Sequence, residues 1–354
     1  MKQNLLYFYP AKATFVERDI NYLSGKYNVL IQDLPWKDKS QLVLNFIKQF
    51  FFLLKNGLNT NIILVMFGGY WSFLPTLFGK LFSKQVFIIL GGTDCVSFPK
   101  INYGSLRKQP LRWFIKKSYQ WCTRLLPLDD SLLFSEYLYD ADATYKIQGV
   151  RAFFKNLNTP YTVIPNGYDA RFWHLKKADK KPLSFISIAF VNDKTRFKLK
   201  GFDSIIKLAT HFKDATFTLI GISESFAKNL NLPDNVKAFD SLSGQEVKKQ
   251  LAIHQFYIQL SLSEGFPNAL CEAMLMQCIP VGSAVGAIPK IIGDTGIVIN
   301  KKDDARIASE IKKLIALPKS DLIAMGLSAQ RKIKNNFSIE NRITLLQNVL
   351  NKTK

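Results

Sequence analysis

The stretch Ser263–Ser283 reads SEGFPNALCEAMLMQCIPVGS and joins a strand pattern to a helix pattern through a short turn. The run before it, FYIQLSL (256–262), is apolar enough for a buried strand, whereas NALCEAMLMQC (268–278) repeats its apolar residues at helical spacing. The two carboxylates of the stretch, Glu264 and Glu272, therefore fall at the end of a strand and inside the following helix.

The same alternation of apolar runs and helical-period segments continues along the whole chain, which is typical of parallel sheets covered by helices. In the first half, the predicted strands are 4–9, 28–34, 61–67, 85–90, 124–128 and 161–165. In the second half, they are 183–190, 215–221, 236–239, 256–262, 279–283 and 296–300.

The chain has 354 residues, more than one ordinary hydrophobic core, so we expect two domains. The Pro, Asn and Gly of IPNGYDARFW (164–173) mark their junction. We therefore predict an α/β protein with two doubly wound parallel-sheet domains, 1–165 and 166–340, that face a cleft. An amphipathic helix in 341–354 is expected to pack back on the first domain.

In such sheets, ligands bind at the carboxyl ends of the strands, so the cleft between the domains is the expected site. Pro267 suits the first turn of a helix whose free N–H groups and dipole favour a phosphate, and Gly265 allows close approach to the backbone. Two carboxylates beside a phosphate site indicate a ligand with several hydroxyls, and a sugar nucleotide fits. Alternatively, Glu272 is favoured only by the helix dipole and Glu264 is a solvated loop residue.

Composition narrows the class of partner. The formal net charge of +21 and the pI near 9.7 favour phosphate-bearing partners such as nucleic acid, anionic lipid or nucleotide. No nucleic-acid-binding motif accompanies the charge, so we expect no nucleic acid partner. The four cysteines form no C-x-x-C pair and the three histidines are scattered, which predicts reduced thiols, a cytoplasmic location and no metal site. No export signal is recognised, and no apolar run reaches the roughly 18 residues of a spanning helix.

The segments SEGFPNALCEAM and PVGSAVGAIPKIIGDTGIVI resemble the signature of family-4 glycosyltransferases of the GT-B fold, in which two glutamates are separated by seven residues. The resemblance covers most of the second half. It continues more weakly in IPNGYDARFW, in KLKGFDSIIKLA (198–209) and in LGGTD (90–94). It implies two Rossmann-like domains and a nucleoside-diphosphate sugar as donor.

The resemblance also implies roles for individual residues. Glu264 would hydrogen-bond hydroxyls of the donor sugar, and Glu272 would accept from the ribose. Lys200 and Arg196 would contact the diphosphate. The donor pocket would be lined by Gly265, Phe266, Pro267 and Asn268.

The sequence departs from the family pattern in three places. The usual Gly-Arg after the first strand of the second domain is replaced by IAFVNDKTRF (188–197), so assigning Arg196 requires an insertion. Gly91 replaces the histidine of the first-domain loop, and FYPAKATFVER (8–18) lacks the usual Gly-Gly. Asp94 remains as a candidate polar group on the first-domain side, although it would serve equally well as a helix N-cap.

Two further patterns lead to separate hypotheses. Asp140 and Asp142 form a single D-x-D in a helix-like stretch, a pattern common by chance, and we expect neither a metal nor another cofactor. The segment LRKQPLRWFIKKSYQWCTR (106–124) interleaves cations with aromatic residues and is predicted to dock on an anionic membrane. The alternative is a solvated basic face over core aromatics.

The combined prediction is a metal-independent, retaining glycosyltransferase that moves a sugar to a hydroxyl of a glycan or lipid-linked acceptor in bacterial surface polysaccharide or lipopolysaccharide synthesis. Two alternatives stay open. One is a nucleotide-sugar epimerase of the same architecture, and the other is a catalytically silent protein that binds nucleotide sugar or nucleic acid.

Overall fold

A computed structural model describes residues 2–175 and 179–351 of the chain. The first sheet contains five parallel strands in the spatial order β2-β1-β3-β4-β5. These strands are β1 Gln3–Phe8, β2 Tyr27–Ile31, β3 Ile62–Met66, β4 Gln85–Leu90 and β5 Arg124–Pro127. The strand β3 is buried at every position, as expected for a parallel sheet with both faces covered.

The second large sheet contains six parallel strands in the order β10-β9-β8-β11-β12-β13. Its strands are β8 Lys181–Val191, β9 Thr216–Ile222, β10 Val236–Phe239, β11 His254–Gln259, β12 Ile279–Ser283 and β13 Ile297–Ile299. A small antiparallel pair, β6 Ser135–Glu136 and β7 Ile147–Gln148, lies between the two sheets in sequence. The sheets stand on either side of the predicted domain boundary at residue 165, which itself stays a prediction.

Helices connect the strands of both sheets. In the first half they are α1 Thr14–Ser24, α2 Leu42–Gly57, α3 Tyr70–Leu81, α4 Leu111–Trp121 and α5 Val150–Phe153. In the second half they are α6 Lys194–Leu199, α7 Phe202–His211, α8 Glu224–Ala227, α9 Gly244–Ile253, α10 Asn268–Leu275, α11 Ile288–Ile292, α12 Asp304–Ile315, α13 Lys319–Asn336 and α14 Ile339–Asn351. Within the described residues, no helix is both long enough and apolar enough to cross a bilayer.

The predicted strand at 161–165 is wrong. This segment forms an isolated bridge to Leu125 and hydrogen-bonds along β5 without becoming a strand of the sheet. The prolines at both its ends, Pro160 and Pro165, have no N–H to donate to a ladder, and Tyr161 is exposed. The segment therefore covers the edge of the first sheet and leads into the second half of the chain.

Candidate functional site

A cleft of about 790 Å³ opens between the loop that follows β4 and the helix α6. Both halves of the chain line it, and cations predominate among its charged side chains. The cationic lining residues are Arg107, Lys108, Lys194, Arg196 and Lys200. The cleft therefore suits an anionic ligand.

Lys200 and Glu264 meet beside this cleft. Lys200 follows α6, and Gly201 turns the chain there with φ of 70°, where a Cβ atom would overlap the carbonyl of Leu260. The lysine Nζ therefore reaches Glu264 Oε1 at 2.7 Å, and the two side chains are 24% and 10% exposed. The predicted Lys200 and Glu264 are thus direct partners.

Glu264 is held by more than its ion pair. Its Oε1 also accepts hydrogen bonds from Gln259 Nε2 at 2.8 Å and from Ser261 Oγ at 2.7 Å. Burial alone would lower the pKa of Lys200, but the adjacent Glu264 carboxylate raises it above its usual value. The site thus holds a charged lysine at the edge of the cleft, where a diphosphate would find a fixed cation.

Arg196 lies on α6 and lines the same cleft. Asp193 begins this helix by accepting from the N–H of Arg196 at 2.7 Å, and the two side chains are 3.9 Å apart. The Arg196 guanidinium lies over the ring of Phe190, 5.6 Å from its centroid. Because the side chain is half exposed and its ion pair is long, it can turn toward an anion in the cleft.

Arg107 and Lys108 were not among the predicted site residues. Arg107 ends the third of three short 3-10 turns after β4 and Lys108 follows it, so that both line the cleft from the side opposite Lys200. Among the described residues, the buried Nε of Arg107 has no hydrogen-bond partner. Burial and the cations of Arg107 and Lys39 lower the pKa of Lys108, a sign of positive charges that lack an anion. Their presence in the basic segment 106–124 was the available signal.

Gly265 brings the two halves of the chain together. A Cβ atom at this position would overlap the carbonyl oxygen of Gly91 and lie 3.1 Å from the Cα of Gly92. Glycine at 265 is therefore required by contact with the opposite loop, whether or not a ligand also approaches this backbone.

Phe266 and Asn268 pack within the protein. Phe266 is buried against the rings of Tyr168 and Phe337. Asn268 Oδ1 accepts from Tyr168 Oη at 2.8 Å and from Asn166 Nδ2 at 3.1 Å. Both residues also line a smaller cavity of about 110 Å³ beside Gly91. Through these contacts, both residues pack against the segment that joins the two halves of the chain.

Pro267 directly precedes α10, so the helix begins one residue later than the prediction that put Pro267 in its first turn. Its φ of −75° suits a helix start.

Glu272 is partly buried in α10. Burial raises its pKa to about 7, and the positive charge of Arg18, from α1 of the first half, offsets part of this effect. Arg18 also donates to the carbonyl of Gly167 at 3.1 Å and lies over the ring of Tyr168. A carboxyl with this pKa can exchange a proton near neutrality or accept from a ligand hydroxyl once ionised.

Asp94 is fully engaged inside the first half. Its Oδ1 accepts from the N–H groups of Gly91 and Gly92, and its Oδ2 accepts from Gly68 N–H and Tyr119 Oη. The side chain is 3% exposed. These bonds fix the loop that faces Gly265, and a contact of Asp94 with a ligand stays a prediction.

No group of three or more histidine, cysteine, aspartate or glutamate side chains suited to a metal occurs among the described residues. Asp140 and Asp142 lie in a turn, not in a helix as expected, and the Asp140 carboxylate accepts from the N–H of Asp142. The expectation that the protein needs no metal stays a prediction.

The second half of the chain contains a match to a known protein family. Residues 183–316 match the family described as glycosyl transferases group 1. The match covers a little over a third of the chain. The matched residues include Lys200, Glu264 and Glu272, whereas Arg107 and Lys108 lie outside them. The narrower assignment to family 4 stays a prediction.

Curated relatives match over part of their length. Trehalose synthase of Thermococcus litoralis is 31% identical over 124 residues, which are 33% of this chain and 29% of the relative. A phosphatidylinositol N-acetylglucosaminyltransferase component of Arabidopsis thaliana is 22% identical over 165 residues, 44% of this chain and 36% of the relative. The matches thus span about a third of each relative.

Solved structures match over the whole chain. Sucrose-phosphate synthase of Thermosynechococcus elongatus has a TM-score of 0.74 at 12% identity, covering 99% of both chains. Anabaena HepE, solved in complex with UDP-glucose, has a TM-score of 0.71 at 13% identity, covering 99% of this chain and 100% of HepE. These similarities confirm the GT-B fold, with two parallel-sheet α/β domains.

Proposed function

We propose that the protein is a glycosyltransferase that moves a sugar from a nucleoside-diphosphate sugar to a hydroxyl acceptor. The observation that carries the proposal is the Lys200–Glu264 pair, which lies within the residues that match the group 1 family and at the edge of a basic cleft between the two domains. The pair supplies a fixed cation and a carboxylate acceptor side by side, which matches the phosphate and hydroxyls of a sugar nucleotide.

On the donor side, Glu264 would accept from hydroxyls of the sugar through the oxygen that Lys200 does not occupy. Glu272 would accept from the ribose. Gly265 and its neighbours through Asn268 would line the donor pocket. The structure of Anabaena HepE with UDP-glucose makes a uridine nucleotide the first donor to test.

Departure of the nucleoside diphosphate develops negative charge, and fixed cations stabilise it without a metal. We assign this role to Lys200 and Arg196. Loss of one such donor typically costs about 3 kcal/mol of transition-state stabilisation. We propose retention of anomeric configuration, with the leaving phosphate taking the proton from the acceptor hydroxyl, so that no protein nucleophile is required.

The acceptor side would be the first domain. Arg107 and Lys108 face the donor-side cations across the cleft and would attract an acceptor that carries phosphate or another anionic group. Such acceptors include growing surface polysaccharides, lipopolysaccharide and lipid-linked glycans. A cytoplasmic enzyme working on these at the inner face of a cell membrane fits the charge of +21.

The donor site is tested by titration calorimetry of the wild-type protein with UDP, GDP and ADP in the presence of a chelator. We expect one diphosphate to bind, and thermal unfolding to show stabilisation of about 2.7 kcal/mol when that ligand is present at a hundredfold excess over Kd. Lys200→Ala should weaken binding of the same nucleotide at least a hundredfold, because it removes the fixed cation.

The matched control is Lys207→Ala, which removes an exposed lysine of α7 paired with Asp304. It should bind the nucleotide as the wild type does. Equal affinities of the Lys200→Ala variant and the wild type, or binding of none of the three diphosphates, would rule out the proposed donor site.

A further inference from the structure

The helix α2 exposes apolar residues and buries polar ones. On its inner side, Asn45 and Gln49 are fully buried, and their amide groups donate to the carbonyls of Pro35 and Trp71. The outer side carries an apolar stripe of six side chains that are between 47% and 72% exposed. These residues are Val43, Leu44, Ile47, Phe50, Phe51 and Leu58.

The stripe is continuous along the helix. At about 100° per residue its members fall within a sector of roughly 120°, and at about 1.5 Å per residue it is roughly 23 Å long. The end of α3 lies near Leu58 and exposes two further apolar side chains, Leu81 at 68% and Phe82 at 44%. Lys84 connects the two ends because its Nζ donates to the carbonyl of Leu58 at 2.8 Å. An exposed apolar surface of this length needs a partner.

The chain segment that contains the stripe carries one sign of charge. Between Asp38 and Asp94 the sequence has no acidic residue. The cations of that segment are Lys39, Lys48, Lys55, Lys80 and Lys84. On a helical projection, Lys48 and Lys55 border one edge of the stripe, where their stems can lie along apolar surface while the ammonium groups reach an anionic layer.

We propose that the apolar stripe of α2 docks the protein on an anionic lipid bilayer, with the helix lying in the plane of the interface. An exposed apolar face bordered by lysines is the pattern of an interfacial helix. A second copy of the chain is the poorer occupant, because it would bring an equally basic surface against the first, at a net charge of +21 for each chain.

The stripe differs from the segment 106–124, which the sequence indicates as the docking site. In α4, the Arg112 guanidinium lies over Phe153 and Phe154 and donates to the carbonyl of Phe153. Lys117 lies over the ring of Trp121. These groups already have protein partners, so we expect α4 to contribute less than α2.

Docking through α2 would also orient the cleft. Lys39 precedes α2 and is close enough to Lys108 to affect its pKa, so the basic lip of the cleft is near the docked helix. A lipid-linked acceptor would then meet Arg107 and Lys108 without leaving the bilayer. This consequence rests on the proposed function, but the docking itself does not, because it is measured without nucleotide.

The test is co-sedimentation of the full chain with vesicles of phosphatidylcholine alone and of phosphatidylcholine mixed with phosphatidylglycerol. We expect binding to the mixed vesicles only. Val43→Ser with Phe51→Ser should weaken the partition at least tenfold, which corresponds to about 1.4 kcal/mol. Lys48→Glu with Lys55→Glu should weaken it similarly and reduce its dependence on the fraction of phosphatidylglycerol.

Three controls make the result specific. Leu138→Ser with Ile323→Ser removes two other apolar side chains that are more than half exposed and should leave vesicle binding unchanged. Lys116→Glu with Lys117→Glu tests the α4 segment and should have the smaller effect. Nucleotide affinity should be the same in all these variants, so failure of docking and failure of the donor site are separate results.

Three outcomes would overturn the proposal. The first is wild-type protein that stays in solution with the mixed vesicles, and the second is a stripe variant that binds them as the wild type does. The third is a dimer, detected by sedimentation equilibrium, that dissociates in Val43→Ser with Phe51→Ser, because a second copy would then cover the stripe.

Discussion

At the level of single residues, Glu272 holds its proton more tightly than an ordinary glutamate. Burial raises its pKa to about 7 from an ordinary value near 4.5, and Arg18 offsets only part of this rise. Between these two pH values the folded protein binds a proton that the unfolded chain has released. The contribution of Glu272 to the free energy of unfolding is therefore fully present below about pH 4.5 and is lost as pH rises through about 7.

Glu272→Gln should remove this pH dependence. Glutamine keeps the shape of the side chain but does not ionise. The free energy of unfolding of the wild type should therefore fall between acidic and slightly alkaline pH by up to about 3 kcal/mol more than that of the variant. Urea unfolding across this range measures the difference. Glu224→Gln, at an exposed residue of α8, should follow the wild type. Parallel pH profiles of the wild type and Glu272→Gln would contradict the assignment.

Lys200 and Glu264 should depend on each other energetically. Removing either partner leaves a partly buried charge without its counterion, so Lys200→Met and Glu264→Gln should each lower the free energy of unfolding by about 1–3 kcal/mol. The double variant should lose less than the sum of the two, by about 0.5–3 kcal/mol. A double-mutant cycle in urea measures this coupling.

The exposed pair Lys313–Glu310 is the control for that cycle, since its N–O distance of 2.9 Å is similar but the lysine is 70% exposed. Its coupling should be below about 0.5 kcal/mol. A coupling at Lys200–Glu264 no larger than this would mean that solvent screens the site.

At the level of secondary-structure elements, the sequence predicted the strands well and the loops poorly. Buried parallel strands are continuous apolar runs, so eleven of the predicted strands, including 85–90 and 279–283, lie within a few residues of β1–β5 and β8–β13. The segment 161–165 has the same composition as a strand, but its flanking prolines restrict it to the sheet edge.

Some residues of the candidate site could be predicted from the sequence and others could not. Glu264 comes shortly after a recognisable strand pattern, whereas Lys200 lies between two helices and was indicated only by the resemblance to a known family. Arg107 and Lys108 follow irregular turns after β4, where no periodicity indicates direction, so their position opposite Lys200 depended on the folded structure. Asp94 has several partners distant in sequence, which no local pattern could reveal.

The contact between the loop at Gly265 and the loop after β4 should not tolerate a side chain. Gly265→Ala would push a methyl group into the carbonyl of Gly91, so the loops must separate. We expect a loss of about 1–3 kcal/mol in the free energy of unfolding and, if the proposed donor site is correct, at least tenfold weaker nucleotide binding. Urea unfolding and calorimetry measure the two effects.

Gly244→Ala is the matched control, because the added methyl would meet only the ring of Phe172 at 3.7 Å, an ordinary contact. In the first turn of α9, it should be neutral or stabilising by up to about 1 kcal/mol. If Gly265→Ala behaved the same way, the contact between the loops would be looser than the structure indicates.

At the level of the whole molecule, the last helix joins the two halves of the chain. Arg342 of α14 forms a two-pronged ion pair with Asp19 of α1, with distances of 3.1 and 2.8 Å, and both side chains are almost fully buried. The same guanidinium donates to the carbonyls of Ile164 and Pro165 at the junction. One residue thus holds the C-terminal helix, the first domain and the connecting segment together.

Arg342→Leu should therefore destabilise the whole assembly and not only its last helix. The substitution leaves the Asp19 carboxylate buried without a counterion and two carbonyls without donors, which should lower the free energy of unfolding by about 3–5 kcal/mol. Because the two halves would then be less coupled, urea unfolding should broaden or split into two transitions, and small-angle scattering should show a larger radius of gyration. Adding Asp19→Leu removes the unpaired charge and should restore part of the stability but not the coupling. A single sharp transition in Arg342→Leu, with stability close to that of the wild type, would mean that other contacts hold the two halves together.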